Sequence, residues 1–205
     1  MICSVALVLL LDASGSVTAP DWRLQVHGTA DGLADPAVTQ VIERQGAVAM
    51  TAIAFSDLTV PMVPWRVLRT AEDARGFAQA LRDAPRRLYG GTRIGEAIED
   101  AVVALDAAPC TAEQEVIDVA SDGGADPVPT ARARDAAAVR GVRVNAIGIG
   151  RLPSGTPADW LRENAVTLGG FALEAADWTD FALAMRRKLQ MELAAADNAL
   201  GVAER

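Results

Sequence analysis

The run "VALVLLLDASGSV", residues 5–17, joins two unlike halves. Seven apolar residues stand together, the carboxylate of Asp12 stops them, and two hydroxyls follow at alternate positions, Ser14 and Ser16. An unbroken apolar run of this length reads as a strand buried on both faces, because alternation disappears when neither face meets water. "DASGS" is then the loop at that strand's carboxyl end.

Further strands follow the same logic. "AMTAIAF" (49–55) is a second apolar run, and "TVPMVPW" (59–65) is a third whose prolines confine it to a sheet edge. The intervening "FSDLT" is short enough for a hairpin, so the third strand is expected to run antiparallel to the second. "EVIDVAS" (115–121), "VRVNAIGIG" (142–150) and "GFALEA" (170–175) complete a set of six. Between them "RIGEAIEDAVVALD" (93–106) sets Ile94, Ala97, Ile98, Ala101, Val102 and Leu105 at helical spacing. Helices also fit 19–34, 71–83, 130–140 with Gly141 ending it, a short segment at "PADWLREN", and the closing "DFALAMRRKLQMELAAA". Strands alternating with helices of these lengths predict an α/β fold in a single domain, 1–205: a doubly wound, mostly parallel six-stranded sheet with helices on both faces. Ligands of such sheets bind beyond the carboxyl ends of the strands.

Composition narrows the chemistry. A formal charge of -8 and a pI near 4.7 repel phosphate backbones, so no nucleic-acid partner is expected. No apolar run reaches the ~20 residues that span a bilayer. The opening run has the length of a signal-peptide core, but no Lys or Arg precedes it and Asp12 directly follows, which favours a strand over a leader. The chain has one histidine, His27, and one lysine, Lys188. Cys3 and Cys110 are too few for a zinc ribbon or a redox pair. Each lies about one strand's length ahead of an acidic loop, Asp12 or Asp122, so both are expected at the amino-terminal edge of neighbouring strands, within reach of a disulfide.

Two more loops belong to the edge that carries "DASGS". "GGTRIG" (90–95) presents Thr92 after two glycines, and "SDGGAD" (121–126) presents Asp122 before two more. Together the three loops offer two carboxylates and three hydroxyls, the oxygen set of a hard divalent cation such as Mg²⁺. Each residue also has a plainer reading. "DASGS" suits an ordinary turn, Thr92 a helix N-cap, and Asp126 before Pro127 a turn. Asp118, in mid-strand, needs hydrogen bonds or a partner and reads as structural or as support behind the site. His27, offset from the apolar positions Trp22, Val26 and Leu33, reads as a surface residue.

"DASGS", Thr92 and Asp122 together resemble the metal-ion-dependent adhesion site of von Willebrand factor type A domains, and the likeness extends to the order of strands and helices. Within that superfamily "DASGSV…WRLQ", "GGTRIGEAI" and "VIDVASDG" are most similar to a bacterial group of uncharacterised, usually exported proteins. The resemblance implies that Ser14 and Ser16 ligate the ion directly, with Thr92, Asp12 and Asp122 completing the site directly or through water. It implies Mg²⁺, or Mn²⁺ or Ca²⁺, as cofactor. It further implies a non-catalytic protein-binding module whose unidentified partner presents an Asp or Glu, with a periplasmic or secreted location, or a cytoplasmic one as the alternative.

Two other functions compete. "LLLDASGS" and "SDGGAD" resemble the acidic loops of haloacid-dehalogenase-type phosphatases, in which Asp12 would accept the phosphoryl group. That chemistry needs an acid where Ser14 stands and a lysine ahead of the second motif, whereas Lys188 lies far beyond it. A metal-free type A scaffold is the third reading, disfavoured because all five metal-site positions are filled. Neither a catalytic triad nor a dinucleotide fingerprint can be assembled from these residues.

Overall fold

The run 5–11 lies within β1 (Ile2–Asp12), an inner strand that pairs in parallel with β2 (Val48–Phe55) on one side and β4 (Thr111–Ser121) on the other. The computed structural model describes residues 1–203, with side chains through 193. The six-stranded sheet has the order β3-β2-β1-β4-β5-β6, with β3 at Thr59–Leu68, β5 at Arg143–Ile149 and β6 at Ala172–Ala175. Only β3 runs antiparallel, at an edge as its prolines require, and the register of its partner slips between Met50 and Ile53.

Strand alternation divides β1 between two cores. Val5, Leu7, Leu9 and Leu11 face the layer of α1 (Ala19–Ala34), α2 (Pro36–Gln45), α3 (Ala71–Asp83) and α7 (Phe181–Ala203). Ala6, Val8 and Leu10 face α4 (Ile94–Asp106), α5 (Pro127–Val139) and α6 (Pro157–Asn164). On the first face, α1 and α7 approach closely at Gly28, where a Cβ would stand 2.9 Å from the Phe181 ring.

The structure departs from the sequence reading in several places, three of which have a clear local cause. Helix α2 was not anticipated, although Asp35 caps it by accepting from the Ala37 amide at 2.9 Å, Pro36 opens its first turn, and Val38, Val41 and Ile42 form its buried stripe. Strand β4 begins at Thr111 rather than 115, because its polar first residues pair with the start of β1, as in Ile2 with Thr111. Helix α5 begins at Pro127 rather than 130, since Asp126 accepts from the Val128 amide at 3.0 Å and acts as its cap.

At the amino-terminal edge Cys3 and Cys110 form a disulfide, with Cα atoms 5.9 Å apart. The bridge closes a chain separation of 107 residues, which removes much of the freedom of the unfolded chain. Substituting both cysteines by serine should lower stability by roughly 2–4 kcal/mol, read as an earlier urea midpoint with an unchanged far-ultraviolet spectrum.

Candidate metal centre

Asp12 ends β1 with its carboxylate wholly out of solvent. One oxygen accepts from the Ser14 amide at 2.8 Å and the other from the Ser121 hydroxyl at 2.5 Å, which ties the first loop to the end of β4. The backbone of Asp12 is held as firmly. Gln25, buried on α1, accepts from the Asp12 amide at 3.1 Å and donates to its carbonyl at 2.8 Å. Thr18 caps α1 in a reciprocal pair with Asp21, so the helix that carries Gln25 starts immediately behind the loop.

The hydroxyls of Ser14 and Ser16 lie 3.0 Å apart, and Ser16 donates to Asp122 at 2.7 Å. Ser14 is buried, Ser16 is exposed and Asp122 half-buried, so the group runs from the sheet end outward to solvent. The second loop is joined to the first through backbone, Gly15 N–H donating to the Gly90 carbonyl at 2.7 Å. Gly90 has φ 141° and faces the Asp57 carboxylate so closely that a Cβ would stand 2.2 Å from it. Asp57 accepts from the Gly91 amide at 3.0 Å, which orders the approach to Thr92.

Thr92 is not the cap of α4. That position belongs to Arg93, which makes no side-chain capping bond. The Thr92 hydroxyl has no hydrogen-bond partner among the described residues, and the side chain borders a cleft of about 320 Å³ with Arg93, Glu96, Asp126 and Thr130. The structure therefore joins Asp12 to Ser14 through the Ser14 amide, runs on from Ser14 through the Ser16 hydroxyl to Asp122, and brings the Thr92 loop against them by backbone contact. His27 is exposed on α1, and Asp118 pairs with Lys188 away from these loops.

Burial pushes the Asp12 carboxyl above its ordinary range, against the lowering effect of the Ser121 and Ser14 hydrogen bonds, and the nearby charge of Asp122 pushes the same way. Asp122 is raised by burial as well, against the hydrogen bond from Ser16. The two carboxyls have hydroxyls between them and oxygen is the only donor type, a set that would suit a hard divalent cation, whose charge would offset the cost of ionising both. Among the described residues no group of three or more His, Cys, Asp or Glu is arranged to hold a metal, so a cation at this edge would have to draw on hydroxyl oxygens as well.

Sequence reading missed three supports: Gln25, Ser121 and Arg86. The Arg86 guanidinium donates to the carbonyls of Ala13 at 3.1 Å and Ser14 at 2.9 Å, and lies over the rings of Tyr89 and Trp22. Only the proximity of Ser121 to Asp122 in "VASDGG" hinted at any of them.

A family model described as a protein of unknown function, DUF1194, matches residues 2–197, and the chain belongs to that family. No curated protein matches it. Among solved structures it is similar to a von Willebrand factor type A protein from Catenulispora acidiphila, with TM-score 0.67, 16% identity, and 92% of this chain and 42% of that one covered. It is also similar to proximal thread matrix protein 1 of the mussel byssus with a zinc-occupied MIDAS motif, with TM-score 0.64, 16% identity and 93% and 46% covered. A third is the manganese-loaded TRAP protein of Plasmodium vivax, with TM-score 0.61, 22% identity and 92% and 74% covered. The chain spans less than half the length of the first two. The fold is that of von Willebrand factor type A domains.

Arg86→Ala should loosen the first loop without unfolding the sheet. Faster hydrogen exchange at the Gly15 amide and a stability loss of about 1–3 kcal/mol are expected, with Arg86→Lys recovering only part of both.

Proposed function

We propose that this chain is a non-catalytic, divalent-cation-dependent protein-binding module, with Asp12, Ser14, Ser16, Thr92 and Asp122 holding the ion. The observation that carries the reading is the meeting of three loops at one sheet edge with hydroxyl and carboxylate oxygens alone. Mg²⁺ suits this set, and Mn²⁺ and Ca²⁺ share its preference for oxygen. Support comes from two structural neighbours, one manganese-loaded and one with a zinc-occupied MIDAS motif. Bound there, a cation ligated mainly by neutral hydroxyls supplies a Lewis-acidic position for a carboxylate oxygen of a partner protein.

The chain's own residues do the rest. Asp12 holds the first loop through the Ser14 amide and the Ser121 hydroxyl, and Ser16 stands exposed beside Asp122. Around them Asp57, Arg93, Asp126 and the segment 151–157 form a rim for the partner. Asp57 and Arg93 lie 3.6 Å apart, while Asp126 is engaged in capping α5. One carboxylate contact does not hold a complex, so a stable partner should bury on the order of 1,200 Å² or more. A phosphatase reading gains nothing from the geometry, because Lys188 sits in the core with Asp118 and Glu192 instead of beside Asp12. The disulfide supports a periplasmic or secreted location.

Calorimetric titration with Mg²⁺ and with Mn²⁺ should reveal one saturable site that the pair Ser14→Ala and Ser16→Ala abolishes while the circular dichroism spectrum is kept. Undiminished binding by that pair would overturn the assignment. Capture of a partner from the source extract should depend on Mg²⁺, fail in EDTA and fail with Asp12→Ala. A partner retained equally in every condition binds by another route.

A further inference from the structure

The chain's single lysine is not on its surface. Lys188, on α7, is fully buried, and its ammonium contacts one oxygen of Asp118 on β4 and one of Glu192 a helical turn away. Alternation explains how the strand residues arrive there. Val116 and Ala120 of β4 and Ile147 and Ile149 of β5 belong to the core that α7 covers, so Asp118 and its register partner Asn145 point toward the same helix. The Asn145 amide donates to Glu192 at 2.7 Å and accepts from the Phe171 amide at 3.1 Å, while the Lys188 ammonium lies 5.6 Å from the Phe171 ring.

The charges do not balance. Two carboxylates, each about 1% exposed on the side chain, share one ammonium, and the second oxygen of each has no hydrogen-bond partner among the described residues. An excess negative charge with no access to water is strongly unfavourable, and binding a proton removes it. No other described charge supplies the compensation. Arg186 pairs with Asp35 at the exposed side of α7, and from α2 Gln45 donates to the Leu193 carbonyl. The residues that α1 and β1 bring to this core are apolar, apart from Gln25 and Thr29, which bond within the loop and helix.

We propose that Asp118, Lys188 and Glu192 form a buried proton-binding site, closed by the docking of α7 on β4 and β5, so that the folded protein holds one more proton than the unfolded chain near neutral pH. The proton is shared between the two carboxyls. Burial raises both, with each carboxyl opposed by Lys188, and Glu192 is pushed up from 4.5 to about 7. The sign follows from linkage. A carboxyl raised in the folded state contributes stability in full below its unfolded value, and that contribution is lost as pH rises toward the folded value. The site therefore weakens the fold between about pH 5 and 7, by up to roughly tenfold in the unfolding constant per pH unit for one proton.

The test is urea unfolding at a series of pH values from 5 to 7.5 for wild type, Glu192→Gln and Asp118→Asn. Either substitution leaves one carboxylate for one ammonium. The wild-type unfolding constant should rise with pH more steeply than that of either variant, by close to tenfold per unit at the steepest point. Taking differences cancels the contributions of Asp12 and Asp122, which all three proteins share. Parallel curves would overturn the proposal. Should the variants not fold, carboxyl carbon NMR of the wild type decides: one protonated carboxyl among Asp118 and Glu192 at pH 6 supports the site, and two ionised carboxylates refute it.

Discussion

The carboxylate of Asp12 has to be satisfied where no water reaches it, and the carboxyl edge of the sheet is arranged around that requirement. Its two oxygens are met by the Ser14 amide and the Ser121 hydroxyl, and its peptide groups by Gln25. A buried acceptor left unpaired costs about 1–3 kcal/mol, so these bonds fix the relative position of β1, β4 and α1. Ser14, Ser16 and Asp122 inherit their arrangement from that joint, because each is within four residues of a group bonded to Asp12. The geometry of this edge is thus a by-product of satisfying one acid.

The two ends of the sheet are held by different physics. At the amino-terminal edge the Cys3–Cys110 bond joins β1 to the turn before β4 by a covalent link that limits the unfolded chain. At the carboxyl edge the links are hydrogen bonds among loops, which hold position but leave oxygen atoms facing outward. Arg86 contributes a third kind of link, bringing a positive charge against carbonyl oxygens of the first loop while its flat face lies on Tyr89 and Trp22. The loop is thus ordered from both sides of the charge scale, by the carboxylates of Asp12 and Asp122 and by the Arg86 guanidinium.

Between the two ends lies a second polar problem, solved differently. Asp118 faces a helix instead of a loop, and among the described residues its charge is offset there by Lys188 from the far end of the chain. Replacing one such partner in a buried pair is more damaging than replacing the whole set by apolar groups, so charges of this kind are weak evidence for stability alone. The excess carboxylate of Glu192 makes the set sensitive to protons, a property that an apolar core cannot have.

Much of this protein was determined by short windows of sequence. The apolar run before Asp12 read as a buried strand in preference to a leader, Pro61 and Pro64 pointed to an edge, and the hydroxyls and acids of "DASGS", "GGTRIG" and "SDGGAD" needed no partner to be recognised as oxygen donors. Periodicity and turn chemistry are local, so they survive without the fold. The whole of α2 and the polar start of β4 were harder, because the Asp35 cap and the pairing with β1 settle them and a short stripe or a polar strand end does not. What only the tertiary structure decided is which distant residues complete each polar group. Ser121 meets Asp12 across 109 positions, Arg86 meets Ala13 across 73, and Lys188 leaves the surface expected of a lysine to enter the core beside Asp118. A hydrogen bond or ion pair carries no periodic signature in the chain, and the need of a buried charge for a partner says nothing of where in the sequence that partner will be.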